Sequence, residues 1–258
     1  MAVGDTAAQV PMDLIARLRE IPADHPMLVC SDFDGTLSPI VTRPEDAAPL
    51  PGIDALLEQL ADSDQTEVAV VSGRSLADLK ALSGLTDPIV LVGSHGGEFE
   101  TGFAVAVSTQ QADLLAQLDA ALTQLTAGVP GAHLERKPIS IAVHVRQADR
   151  PDADRVLAAV REGPAVWPGV HVTAGKEVLE LAVQQVSKGS AIAALRDGFD
   201  RQATVVFVGD DVTDERAFES LAPADVGVKV GPGPTAAQYR VDSVESVRAL
   251  LALLAALR

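Results

Sequence analysis

Met27–Ile40 reads MLVCSDFDGTLSPI: an unbroken apolar run, then a serine, two aspartates one residue apart, and a Gly-Thr break. An apolar run of this length without alternation is a strand buried on both faces, and the Gly-Thr break ends it. The pattern recurs in EVAVVSGR (67–74), IVLVGSHGG (89–97), TVVFVGDD (204–211) and DVGVKVG (225–231). Amphipathic helical segments separate these runs: GIDALLEQLAD, SLADLKALSG, KGSAIAALRDGF, TDERAFESLA and a last helix near Val244 to Leu257. Strand and helix in alternation predict an α/β fold with a Rossmann-like, doubly wound parallel sheet.

The alternation is interrupted in the middle of the chain. A long Ala/Leu/Gln helix (about Ser108 to Leu125), HLERKPISIAVHVR, a second helix PDADRVLAAVREG and then GVHVTAGKEVLELAV give the order helix, strand, strand, helix, strand, strand. Turns at Lys137-Pro138 and Gly175-Lys176 predict two antiparallel hairpins. A small α+β domain over 106–184 is therefore expected inside a core formed by 1–105 and 185–258.

With 258 residues, 47% of them hydrophobic, the chain can bury a core in each of two modest domains. Its 20 Lys and Arg against 36 Asp and Glu give a formal charge of -16, which repels a nucleic-acid backbone or an anionic membrane surface. An anionic ligand would need cations gathered locally. The apolar tail ALLALLAAL is too short to span a bilayer, and the first residues lack the basic and apolar segments of a leader, so a cytoplasmic location is expected. Cys30 lies inside an apolar run and reads as a core residue. The sequence leaves the oligomeric state open, and a monomer is compatible with it.

Ligands of an open α/β sheet sit at the carboxyl ends of its strands, and the polar clusters SDFDGT, SGRS, GSHGGE and GDDVTDE all fall there. Asp32 and Asp34 are two apart, so in extended chain they point the same way. Two carboxylates about 4 Å apart repel by roughly 4 kcal/mol at an effective dielectric near 20, and Asp210, Asp211 and Asp214 add to the negative charge. A divalent cation resolves the conflict, and oxygen-only ligands suit Mg²⁺. Beside such a metal one aspartate can attack phosphorus and the other can carry protons. Taken singly, DFDG reads as a solvated turn after a strand, GDDVTDE equally as an acidic helix start, and Ser72 with Gly73 as a turn and helix cap.

In order and placement together, these segments resemble the four motifs of the haloacid dehalogenase superfamily: DFDGT the first, VVSGR the second, Lys188 the third and VFVGDDVTDE the fourth. Within it, DFDGTLSPI, SGR, GSHGGE and GDDVTDE resemble the trehalose-6-phosphate phosphatases, whose core carries a cap between the second and third motifs. The resemblance implies a Mg²⁺-dependent phosphatase acting on a small-molecule sugar phosphate, with Asp32 as nucleophile, Asp34 as general acid and base, Ser72 as phosphate ligand and Lys188 as the steadying cation. It implies a metal held by Asp32, the Asp34 backbone carbonyl and a fourth-motif aspartate, Asp210 first and then Asp211 or Asp214. Gly73, Arg74, His95 and Glu98 are implied near the substrate, and Glu135, Lys137, Arg146, Lys176 and Glu180 in the cap toward the sugar. His95 and Glu98 read equally well as a loop anchored by local hydrogen bonds. The chain departs from the pattern after Glu180, where Leu181, Ala182 and Val183 stand in place of the Arg-Pro of many relatives. A phosphatase of the same superfamily for sucrose 6-phosphate or mannosyl-3-phosphoglycerate, a phospho-receiver module and a regulatory pseudophosphatase are the alternative readings.

Overall fold

The computed structural model describes residues 10–100, 102–103, 107–175, 177–184, 186–199 and 201–258. They group into two compact units, one drawn from Met1–Ala104 and Val186–Arg258, the other from Val105–Gln185.

In the first unit the chain runs through α1 (Met12–Arg19), β1 (Met27–Ser31), α2 (Ile53–Ala61), β2 (Thr66–Val71), α3 (Leu76–Ser83), β3 (Val90–Gly93), β4 (Glu98–Phe99) and β5 (Gly102–Phe103). The second unit holds α4 (Thr109–Thr126), β6 (His133–Arg136), β7 (Ser140–His144), α5 (Arg150–Glu162), β8 (His171–Gly175) and β9 (Val178–Ala182). The first unit resumes with α6 (Lys188–Arg196), β10 (Thr204–Gly209), α7 (Val212–Ser220), β11 (Val226–Val230), β12 (Tyr239–Val241) and α8 (Val244–Leu257).

The large sheet has the order β12-β11-β10-β1-β2-β3-β4-β5. Its strands from β12 to β3 pair in parallel. The expected parallel sheet is thus extended into a mixed one, because β4 and β5 pair antiparallel beyond β3. These two-residue strands are too short to carry a period, as β12 nearly is, and α1 also went unread in the sequence.

Every residue of β1 is buried, and the two faces of the strand divide as a period of two requires. Met27 and Val29 pack into one apolar layer with Leu57 of α2 and Leu250 and Leu254 of α8. Leu28 and Cys30 pack into the other with Ile192 of α6 and Phe218 of α7. Covered on both sides, β1 and β10 hold their ends in place: Cys30 stands opposite Phe207, and the Asp32 amide donates to the Val208 carbonyl at 2.9 Å. The strand order reverses between these two strands, where an open sheet forms its crevice.

The second unit has its own sheet, β6-β7-β9-β8, antiparallel throughout. Leu118 and Leu122 of α4, Val156 and Val160 of α5, and Ile141, Val143, Leu179 and Leu181 of the sheet are among its buried apolar residues. Strand alternation leaves Glu135, His144 and Glu180 on the opposite face.

Candidate active site

Asp32 follows β1 directly and is 4% exposed. Lys188, the first residue of α6, reaches it: Nζ lies 2.8 Å from Asp32 Oδ1 and 2.7 Å from Asp214 Oδ1. Ser187 caps that helix, its Oγ accepting the Ser190 amide, which fixes where the lysine begins. Asp214 is fully buried in the first turn of α7, and its Oδ2 accepts the amides of Asp210 and Asp211, both at 2.9 Å. These are orphan donors of a helix start, and the carboxylate also meets the positive end of the helix dipole. Gly209 is glycine because any side chain there would overlap the Asp214 carboxylate.

One carboxylate oxygen each of Asp32, Asp210 and Asp214 lie within 4.8 Å of one another. Burial raises the Asp32 carboxyl well above its ordinary range, Lys188 opposes the shift, and Asp214 and Asp210 add to it. Burial, then the charges of Asp214 and Asp211, lifts the Asp210 carboxyl to about 6. Asp32 and Asp214 hold the Lys188 ammonium above its ordinary range even though burial acts against them. Lys188 and Lys229 bring two positive charges to three aspartates, so the cluster retains net negative charge. A divalent cation fits the donor set on a further ground, because Asp210 Oδ1 is buried and meets no hydrogen-bond partner. Both Asp214 oxygens already accept N–H groups, which leaves Asp32 and Asp210 as the freer ligands. Asp211 is the exposed cap residue of α7 and stands outside the cluster. Gly35 completes the floor: its φ is +80°, and a side chain there would overlap the Asp210 carboxylate.

Asp34 takes a different partner from Asp32. Arg74 grips it with two prongs, Nε to Oδ2 and Nη2 to Oδ1, each 2.7 Å. Ser72, buried at the end of β2, accepts the Arg74 amide at 3.2 Å, and the Ser94 amide donates to the Arg74 carbonyl at 2.7 Å. The His95 imidazole lies against Gly73, where a side chain would overlap it. Glu98 proves locally anchored: Oε2 accepts the Leu76 amide at 3.2 Å, and Oε1 accepts the Ser94 hydroxyl. It therefore satisfies the start of α3 and ties the loop after β3 to the loop after β2.

In the second unit, Glu180 Oε1 accepts Ser140 Oγ at 2.6 Å and Lys137 Nζ at 3.1 Å. Lys137 also lies 3.9 Å from Glu135, which hydrogen-bonds His144 Nε2 at 2.9 Å. That bond holds the Glu135 carboxyl below its usual range. The His144 ring stacks on His133 with centroids 4.8 Å apart. β7 ends at His144, so Arg146 sits beyond it in an exposed turn. Lys176 lies outside the described residues.

Three participants went unread in the sequence: Lys229, whose Nζ donates to the Asp210 carbonyl, His133 and Ser140. Lys229 carried a signal, because a lysine inside the buried run VGVKVG needs a partner. Nothing local marks the other two.

A family model described as Trehalose-phosphatase matches residues 30–245. The trehalose-phosphate phosphatase of Mycobacterium marinum is 36% identical over 228 residues, 82% of this chain and 57% of that protein. The trehalose-6-phosphate phosphatase of Escherichia coli K12 is 33% identical over 219 residues, 84% of this chain and 82% of that one. A solved structure of a trehalose-6-phosphate phosphatase related protein is 26% identical, covers 89% of this chain and 97% of its own, and superposes with a TM-score of 0.73. The chain thus spans little more than half the length of the mycobacterial relative.

Proposed function

The chain belongs to the trehalose-phosphatase family, and on that premise we propose that it is a Mg²⁺-dependent phosphoric monoester hydrolase that splits trehalose 6-phosphate into trehalose and phosphate, in trehalose biosynthesis. The observation that carries the chemistry is the constellation of buried Asp32, Lys188 and Asp214 with half-buried Asp210 at the switch point of the sheet. Asp32 attacks phosphorus and forms an aspartyl phosphate, while Lys188 holds the attacking carboxylate in line and faces the charge that develops on the phosphoryl oxygens. Ser72 donates its hydroxyl to a phosphate oxygen. Asp34 protonates the departing sugar oxygen and then deprotonates the water that hydrolyses the intermediate. Mg²⁺ would be held by Asp32, Asp210 and the Asp34 backbone carbonyl, with Asp214 in the same cluster and Asp211 outside it, and bound there it would supply positive charge to the phosphate oxygens.

We assign the sugar-recognising role to residues 105–185 as a cap domain, with Glu135, Lys137 and Glu180 on its polar sheet face. Glu180 is already paired within that face, which supports a role in holding Lys137 in position as well as in meeting hydroxyls. A cytoplasmic location accords with one buried free thiol, and no helix of the described residues is long and apolar enough to cross a membrane.

The test is phosphate release from a panel of sugar phosphates, with Mg²⁺ and with chelator. Trehalose 6-phosphate should be preferred, chelator should stop turnover, and Asp32→Asn should lower kcat by at least ~10³-fold, as loss of a nucleophile does. A preference for another sugar phosphate would keep the chemistry and replace the substrate; Asp32→Asn with most of its activity would remove the mechanism.

A further inference from the structure

Arg74 has the ordinary credentials of a phosphate ligand: a cation on the loop after β2, next to Ser72 and Gly73. Its side chain is nevertheless committed elsewhere. Two of its N–H groups run to the two oxygens of Asp34, both at 2.7 Å, the paired geometry of strong guanidinium–carboxylate contacts. Its carbon Cζ stands 5.8 Å from the Phe33 ring centroid, over the residue that separates the two aspartates. Its amide is tied to Ser72 Oγ and its carbonyl to the Ser94 amide. Arg74 is thus held at its backbone and along its side chain, and it delivers that rigidity to a single carboxylate. Asp34 has no other described side-chain bond to fix its rotamer; its backbone is held through the turn in which the Gly35 amide donates to the Ser38 carbonyl at 2.7 Å.

We propose that Arg74 is a positioning residue for proton transfer, setting the carboxyl group of Asp34 toward the leaving oxygen, rather than a ligand of the phosphoryl group. The proposal rests on the phosphatase reading above and deepens it. In the first half of the reaction an Asp32 oxygen bonds to phosphorus, the bond from phosphorus to the sugar oxygen breaks, and that oxygen takes the proton of Asp34, leaving a neutral alcohol and an Asp34 carboxylate. In the second half that carboxylate takes a proton from water, the water oxygen bonds to phosphorus, the Asp32–phosphorus bond breaks, and inorganic phosphate leaves with Asp34 protonated again. A carboxyl group that accepts both prongs has no proton between it and the guanidinium. Each Asp34 oxygen keeps a lone pair outside its contact with Arg74, so the carboxyl can carry its proton there while Arg74 fixes the plane in which it is presented.

The experiment exploits the leaving group. Wild type, Arg74→Ala, Arg74→Lys, Asp34→Asn and the Arg74→Ala/Asp34→Asn double variant are compared by kcat/KM, which stops at phosphorus–oxygen cleavage, on trehalose 6-phosphate and on p-nitrophenyl phosphate, whose leaving group needs no proton. A group that assists proton transfer is typically worth ~10²- to 10⁴-fold. Arg74→Ala should fall about 10²-fold on the sugar phosphate and less than about 10-fold on the aryl phosphate, and the double variant should be little worse than Asp34→Asn alone. Arg74→Lys, which keeps the charge and loses the paired grip, should fall between wild type and Arg74→Ala on the sugar phosphate only. Equal losses on both substrates, or additive losses in the double variant, would overturn the proposal and make Arg74 a phosphate ligand or a structural residue. A wild-type protein inactive on both substrates would instead remove the phosphatase reading on which it stands.

Discussion

Lys188 is 2% exposed and lies between two carboxylates, so removing it would strand two buried charges at once. Gly35 shows the same economy in the backbone. Its φ of +80° costs another residue about 1–2 kcal/mol, and its missing side chain is the space that the Asp210 carboxylate occupies. Gly35→Ala should lower the melting temperature modestly and lower activity strongly, with Mg²⁺ required at higher concentration. A thermal melt beside a Mg²⁺ titration of phosphate release measures both. Activity unchanged in Gly35→Ala would show that Asp210 does not need that space. At this scale the sequence was partly legible. DFDGT announced a strand end with paired carboxylates, because spacing along one strand is local. It did not announce that the two would part company, Asp32 to Lys188 and Asp34 to Arg74, because those partners lie far along the chain and meet only when β1 packs beside β2 and β10.

At the scale of elements, the loops after β2 and β3 act as one piece. Glu98 accepts the first amide of α3 and the Ser94 hydroxyl, while the His95 amide donates to the Ser72 carbonyl at 2.9 Å. Glu98→Ala leaves a helix-start amide and a buried serine hydroxyl without their acceptor, a loss of about 1–3 kcal/mol. The expected result is a lower melting temperature together with a higher KM, since Ser72 and Gly73 lose their brace. Normal kinetics in a destabilised Glu98→Ala protein would confine the residue to stability. GSHGGE left substrate contact and local anchoring equally open; the hydrogen bonds of Glu98 favour anchoring. The long strands and helices were readable because their apolar periods are long. β4, β5 and β12 were not, since two or three residues give no period and take their form from the neighbouring strand.

At the scale of the molecule, the sequence's net charge of -16 and its clustered aspartates make stability depend on pH. Asp210 is held up to about 6, against 3.8 for an ordinary aspartate, so between those pH values the folded protein binds a proton that the unfolded chain has released. Stability then falls as pH rises through that window, and Asp32, shifted the same way, adds to the fall. Melting in chelator should therefore show a temperature that declines from about pH 4 to about pH 6.5 from these groups. Mg²⁺ should flatten the decline, since a cation favours the ionised carboxylates and binds the folded state. A metal-free protein whose stability rose across that window, with Mg²⁺ without effect, would contradict the burial of these carboxylates as a metal site.

The sequence by itself determined the doubly wound core, the polar strand ends and the residue types that serve phosphoryl transfer, because each is written in local period and spacing. Only the tertiary structure decided which charges meet: Lys188 with Asp32 and Asp214, Arg74 with Asp34, Lys229 with the Asp210 carbonyl, Glu98 with the head of α3. An ion pair acts over a few ångströms, and distances of that size between distant residues exist only once strands are in register and helices are packed.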